Sequence, residues 1–316
     1  MGRGSGYGKV ILFGEHFVVH GVPGIVSAID SKADSEVRKI ETPDIHIKDE
    51  REGSKGYAEK KKVQQKESIY RMLEAMGLEK NVSLDIWLGG NLPSFSGIGA
   101  SAASSVAIAR AISEEFGFNF SDERINEIAY EAEKAYAGTP SGIDNTAATF
   151  GGLIWFKKNL TGGPNTIERL NIKKPVEIIM ANSGIVADTK EMVLGVAERK
   201  KKYPEKYDQL FKQYRELVFK ARKALEDFDL KRVGELMNDN YVLLQGIEVS
   251  CKELDYLVDL ARGNGAYGAK LTGGGGGGCI VALTPGKELQ EKVAEAIEKE
   301  GFKVLRTKVG VQKSIF

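Results

Sequence analysis

Little in this chain marks it as secreted, membrane-bound or nucleic-acid-binding. Only two of its 316 residues are cysteine, Cys251 and Cys279. Two are too few for a disulfide framework and lack metal-site spacing, so both are expected as reduced thiols in a cytoplasmic protein. No apolar run approaches the ~20 residues that cross a bilayer, so no membrane partner is expected. The first residues include an arginine but no apolar core before a cleavage site, which argues against a signal peptide. The Asn-x-Ser/Thr matches at Asn81, Asn119 and Asn159 are then chance. Charge of one sign is also missing: 45 Lys and Arg face 44 Asp and Glu, a net charge of +1. That balance gives nucleic acid no bulk electrostatic hold. Internal repeats are absent, and one glycine run is the only low-complexity block. The length suits one large or two medium domains with ample buried cores.

What the chain does have is glycine in two pointed places. The first is residues 92–105, Leu-Pro-Ser-Phe-Ser-Gly-Ile-Gly-Ala-Ser-Ala-Ala-Ser-Ser. Gly97 and Gly99 sit two apart among small polar residues, and a helix-tolerant run follows through residue 112. A glycine loop that opens into a helix exposes backbone N–H groups beside the positive end of the helix dipole, a site suited to phosphate. Ser101 would place a hydroxyl near a phosphate-bound metal ion. Two other readings stand beside this one. One is a plain turn before an amphipathic helix. The other is a dinucleotide fingerprint, since residues 97–102 fit G-x-G-x-x-A. Against the latter, Pro93, Ser94 and Ser96 stand where a strand should lead into the glycines.

The second place is residues 270–279, Lys-Leu-Thr followed by six glycines and Cys279. Six glycines destabilise any regular element. Lying between Lys-Leu-Thr and the apolar strand 280–283, they are unlike a linker. Close approach of a ligand or of another backbone accounts for them.

Elsewhere the patterns are mixed. Residues 10–13, 82–88, 153–156, 176–181 and 303–308 read as strands. Residues 24–29 form a separate apolar piece, and 36–40 and 45–47 alternate like short strands. Helical stripes run over 61–76, 101–115, 122–137, 204–225, 230–244, 252–262 and 287–300, with Ser121 and Asp188 as N-caps. Residues 161–174 are loop-rich and are the expected domain boundary, giving domains 1–174 and 175–316. Glu15 and His16 follow the first strand, where a carboxylate and an imidazole could hold a small polar ligand or simply form a charged turn. Asp144 lies in the Gly/Pro-punctuated loop 138–145, where it could cap a short helix at 146–149.

Three motifs taken in order resemble the GHMP kinase superfamily: residues 8–16 (Gly-Lys-Val-Ile-Leu-Phe-Gly-Glu-His), residues 93–103, and residues 270–279. All three fit at once over nearly the whole chain, which removes the dinucleotide reading. Gly14-Glu15-His16 followed by Val18-Val19-His20-Gly21 looks most like the mevalonate kinase branch. The stretch from Glu133 to Asn145 is similar to the region that holds a magnesium-binding Glu and a catalytic Asp there. There are departures. Ala100 replaces the first Ser of the usual pair, Tyr7-Gly8-Lys9 stands where Ala-Pro-Gly-Lys is common, and Gly274 replaces an Ala.

The resemblance implies an α+β, two-domain GHMP kinase fold with the active site in the interdomain cleft. It implies ATP as co-substrate, with phosphates over Pro93, Ser96, Gly97, Ile98, Gly99, Ala100, Ser101 and Ala102. Mg2+ would be held by Ser101 and Glu133, and Asp144 and Lys9 would be catalytic. Mevalonate, phosphorylated on its primary hydroxyl, would meet Glu15, His16, Ser183, Thr272, Gly273 and Gly274. A homodimer is compatible with the sequence. The alternatives are another small-molecule kinase of the superfamily, acting on a different alcohol or hydroxyl, and a non-catalytic sensor. The sensor predicts loss of Asp144, Lys9 or Glu133, and all three are present.

Overall fold

The structure is a computed structural model that describes residues 1–41, 44–53, 57–79, 81–94, 97–138 and 140–311. The chain begins with strands β1 (Gly2–Phe13), β2 (Gly24–Lys39) and β3 (Ile45–Asp49), then helix α1 (Tyr57–Ala75) and strand β4 (Leu84–Gly90). Helices α2 (Ala100–Glu115), α3 (Asp122–Ala137) and α4 (Ile143–Phe150) follow, then strands β5 (Leu153–Lys157), β6 (Thr166–Leu170) and β7 (Val176–Asn182). Next come helices α5 (Thr189–Lys202), α6 (Pro204–Glu226), α7 (Leu230–Gly246) and α8 (Lys252–Gly263). Strands β8 (Gly268–Thr272) and β9 (Cys279–Leu283), helix α9 (Lys287–Lys299) and strand β10 (Lys303–Val309) complete it. The mixed α+β class is as expected. Among the described residues no helix is long and apolar enough to cross a membrane.

Two compact units emerge. Unit 1 comprises Met1–Lys9, Asp30–Phe95 and Gly99–Gly151; unit 2 comprises Val10–Ile29, Ser96–Ile98 and Gly152–Phe316. This partition differs from the expected 1–174 and 175–316. The chain changes unit inside β1 and inside β2, and residues 161–174 belong wholly to unit 2. They carry β6, paired antiparallel with β5. Four of its five residues are exposed, so backbone pairing rather than burial holds it, and it leaves little hydrophobic signal.

In unit 1, β4 pairs parallel with β3 and antiparallel with β2. Val37, Ile86, Ile69, Leu73, Val106, Ile128 and Ala129 join sheet and helices α1, α2 and α3 in one core. Glycine governs how α2 lies on β1. A Cβ on Gly2, Gly4 or Gly6 would stand 2.1, 2.2 and 2.2 Å from the carbonyl oxygens of Ala111, Ala107 and Ala103. Two residues of strand advance ~6.6 Å and four of helix ~6 Å, so the two ladders stay in step. The expected strand started only at residue 10, because glycine is depleted in strands. Here close packing against the helix selects it.

In unit 2, the first residues of β2 pair with β5, and β10, β7, β9 and β8 form an antiparallel run in that order. Val309 of β10 lies opposite Ile29 of β2. The apolar piece 24–29 and the alternating piece 36–40 prove to be one 16-residue strand.

Candidate active site

Unit 1 gathers the start of α2, from Gly99 onward, with four polar side chains. Gly99 caps α2 with φ 73°. Ala103 N–H donates to Gly99 O at 2.9 Å, so the N–H groups of Ala100, Ser101 and Ala102 have no acceptor within the helix. The side chains of Ala100 and Ala102 are buried, leaving only backbone for an anion at these two positions. Pro93 is half-buried in the loop, and Ser96 lies outside the described residues. A Cβ on Gly99 would meet Lys9 Cγ at 2.5 Å: the lysine stem runs across the bare glycine.

That stem ends in an ion pair. Lys9 Nζ lies 3.0 Å from Asp144 Oδ1, with the lysine side chain 3 % and the aspartate 36 % exposed. Asp144 is in the first turn of α4, which starts from Gly142 in the left-handed region. Residue 144 therefore lies within the helix, which begins three residues earlier than the expected 146–149. Next to it, Asn145 Nδ2 donates to Asn126 Oδ1 at 2.7 Å, tying this turn to α3.

Glu133, on α3, is buried. Ser101 Oγ donates to its Oε2 at 3.2 Å and Ser105 Oγ to its Oε1 at 3.3 Å. Burial, and then the charge of Asp144, push the Glu133 carboxyl up to about 8, against the opposing pull of Ser101, Ser105 and Lys9. Lys9 alone does not offset its burial. One carboxylate and a converging hydroxyl are the oxygen donors a hard cation takes when substrate phosphates supply the rest. Among the described residues no cluster of three or more His, Cys, Asp or Glu could cage a metal. The donor set thus fits magnesium carried with a nucleotide.

Unit 2 gathers the other predicted residues. β1 ends at Phe13 and Gly14 follows; Glu15 is fully buried in an ion pair with Lys270 of β8. Lys270 Nζ also donates to Leu271 O at 2.8 Å and Ile11 O at 3.3 Å. His16 adopts φ 60°, uncommon for a residue with a Cβ. Its Nε2 lies 2.8 Å from Gly274 O. Burial lowers the imidazole to about 4, His20 and Arg199 push the same way, and the Gly274 bond opposes them. Thr272 Oγ1 accepts from Ile11 N at 3.1 Å and donates to Ile11 O at 3.3 Å. Ser183 Oγ accepts from Ile185 N at 3.3 Å. Both hydroxyls thus already hold backbone.

Gly97 and Ile98 also lie here. A Cβ on Gly97 would come 3.3 Å from Thr272 O and Cys279 N, and Ile98 is fully buried. The glycine run is hemmed in by backbone. A Cβ on Gly275, whose φ is 72°, would meet Val249 O at 2.1 Å. Gly276 N–H donates to Val249 O at 2.9 Å and Gly278 N–H to Ile185 O at 2.8 Å. Another backbone, one of the two expected causes, is in place at the run's C-terminal half. Lys270 and Ser105 received no role from sequence. A lysine directly ahead of an apolar strand and a glycine run was the available signal for Lys270; Ser105 lies one helical turn beyond Ser101.

Residues 65–152 match the GHMP kinases N terminal domain and residues 221–303 the GHMP kinases C terminal domain. The chain belongs to the GHMP kinase family. Within these kinases its likeness is to mevalonate kinases. That of Pyrococcus horikoshii is 35% identical over 95% of this chain and 93% of its own. That of Archaeoglobus fulgidus is 32% identical, covering 95% and 98%. The crystal structure of L. major mevalonate kinase in complex with R-mevalonate superposes with a TM-score of 0.91 at 37% identity, over 99% of this chain and 97% of that one. Membership of the GHMP kinases makes the chain an ATP-dependent kinase.

Proposed function

We propose that this GHMP kinase transfers the γ-phosphoryl group of ATP to the primary C5 hydroxyl of (R)-mevalonate, yielding 5-phosphomevalonate and ADP for isoprenoid biosynthesis. The observation that carries this reading is the Lys9–Asp144 pair, buried at the lysine and open at the carboxylate.

Phosphoryl transfer needs positioning and charge neutralisation more than covalent chemistry. The free N–H groups at the start of α2 cradle the phosphates, with residues 93–102 forming the loop. Ser101 and Glu133 would hold Mg2+, which when bound would supply positive charge to the phosphate oxygens. Asp144 accepts the proton of the attacking hydroxyl as its oxygen bonds to the γ-phosphorus and the bond to the ADP oxygen breaks. Lys9 orients Asp144 and offsets the developing negative charge. Glu15, His16, Ser183, Thr272, Gly273 and Gly274 form the mevalonate side, with Lys270 fixing Glu15. The enzyme works in the cytoplasm on two small molecules, and a homodimer is the assembly to test by sedimentation.

Asp144→Asn is the direct test, in a coupled assay of mevalonate phosphorylation with product analysis. Turnover should fall ~10³-fold or more, since both proton acceptance and orientation go. Near-wild-type turnover would remove Asp144 from this role. A panel of other alcohols phosphorylated better than mevalonate would redirect the substrate assignment.

A further inference from the structure

Helix α4, which carries Asp144, is too short to hold itself in place. It has eight residues, begins from Gly142 without a side-chain cap and stops at Gly151 with φ 68°. Isolated helices shorter than ~12–15 residues are marginal in water. The position of α4 therefore rests on what grips it. At its start the grip is Asn145, whose Nδ2 donates to Asn126 O at 3.2 Å and Oδ1 at 2.7 Å. At its end the grip is Arg110 of α2, a residue outside the three motifs.

Arg110 joins four elements of unit 1. Its Nη2 donates to Thr149 O at 2.9 Å and to Asp122 Oδ1 at 2.6 Å, and its Nη1 donates to Ser5 O at 2.6 Å. Thr149 lies in the last turn of α4, where carbonyl oxygens lack partners within the helix. A cation at a helix C-terminus also has the sign the dipole favours. Asp122 is the first residue of α3, and Ser5 lies on β1. The arginine side chain is 18 % exposed, so water competes little for these bonds. Gly4 makes the reach to β1 possible: a Cβ there would stand 2.6 Å from Arg110 Cβ.

We propose that Arg110 is a positioning residue for phosphoryl transfer. It fixes the C-terminal end of α4 and so sets where the Asp144 carboxylate stands against Lys9 and Glu133. This rests on Asp144 as the proton acceptor in the reading above. Thr149 is five residues beyond Asp144, ~7.5 Å along the helix axis. In so short a rod, a tilt at one end is carried to the other. A displacement of ~1 Å from the productive geometry costs on the order of 100-fold in rate. Lysine at position 110 would keep the charge but lose the planar fork that makes three directed bonds.

Two measurements test this. The first is hydrogen exchange, which needs no substrate. In Arg110→Met the amides of α4 should exchange ~10-fold faster or more, while those of β7 and β9 keep their rates. Unchanged exchange in α4 overturns the proposal. The second is kinetic, at a temperature where each variant is folded. Arg110→Met should lower kcat ~10- to 100-fold, with KM for ATP and mevalonate within ~3-fold. Arg110→Lys, which keeps the charge for folding, should show the same split at ~3- to 10-fold. In an Asp144→Asn background, either change should lower the residual turnover by ~2-fold or less, because the group being positioned has lost its task. Equal losses in the two backgrounds, or wild-type kcat in both Arg110 variants, refute the role. Absence of mevalonate turnover by wild type, or full turnover by Asp144→Asn, would instead defeat the underlying function, and the exchange rates alone then judge the grip on α4.

Discussion

Two lysine–carboxylate pairs sit in the two units of this kinase, and they are opposites. In Lys270–Glu15 both side chains are 0 % exposed. In Lys9–Asp144 the lysine is 3 % and the aspartate 36 % exposed. A sealed pair fixes its members in place: its attraction offsets their desolvation, and loss of either strands the other. A half-open pair leaves carboxylate lone pairs reachable by a reactant, with a buried cation fixing their position. The same two residue types therefore do different work, and exposure of the acid separates them.

The sharpest way to break this comparison is Lys270→Met. It leaves Glu15 buried without its cation and should cost about 3–5 kcal/mol in denaturant unfolding. Lys9→Met should cost ~1 kcal/mol or less, since Asp144 reaches water, while abolishing most turnover. Equal losses would erase the distinction.

Beside the sealed pair, His16 adds a pH dependence. Its native value near 4 lies below the unfolded value of ~6.5. Between those values the unfolded chain binds the proton and the native one does not, so stability rises with pH. The contribution is complete above ~6.5 and lost as pH falls to 4, amounting to at most about 3 kcal/mol. Unfolding of wild type and His16→Gln at pH 7.5 and 4.5 should show the smaller acid loss in the variant.

Gly99→Ala tests the half-open pair through its support. The left-handed backbone at φ 73° disfavours alanine by ~1–2 kcal/mol, and the new methyl displaces the Lys9 stem. Melting should shift by that amount, and kcat should fall more than KM changes. The smallest effect belongs to Ser105→Ala. Removing one long hydrogen bond to Glu133 costs ~0.5–1 kcal/mol, read as a change of about 2- to 5-fold in the magnesium concentration for half-maximal rate.

Local features were legible in proportion to how local their causes are. Ser121 predicted the start of α3 because its hydroxyl accepts from Arg124 N three residues on. Asp188 did the same for α5 through Lys190 N and Glu191 N. The glycine loop was readable because a backbone that turns into a helix needs those residues wherever it occurs. By contrast, the first half of β1 was missed because its glycines answer to α2, about a hundred residues away. β6 was missed because it is an exposed edge strand. β2 looked like separate pieces because its burial pattern changes along its length from continuous to alternating.

The candidate site divides the same way. The resemblance of the motifs to the GHMP kinases pointed to Lys9, Asp144, Glu133, Ser101 and His16, because the family keeps particular side chains at particular points on the chain. Which acid each lysine meets was beyond it: Lys270 and Glu15 are 255 positions apart. So were the upward shift of the Glu133 carboxyl and the downward shift of the His16 imidazole, which depend on how much water surrounding segments exclude. The sequence by itself determined the helices and the loops, through forces that act within a few residues, and its motifs pointed to the proposed reactive groups. Only the tertiary structure decided which charges are sealed, which stay open and which are shifted by burial. Desolvation is set by everything packed around a group, and that neighbourhood exists only once the chain has folded.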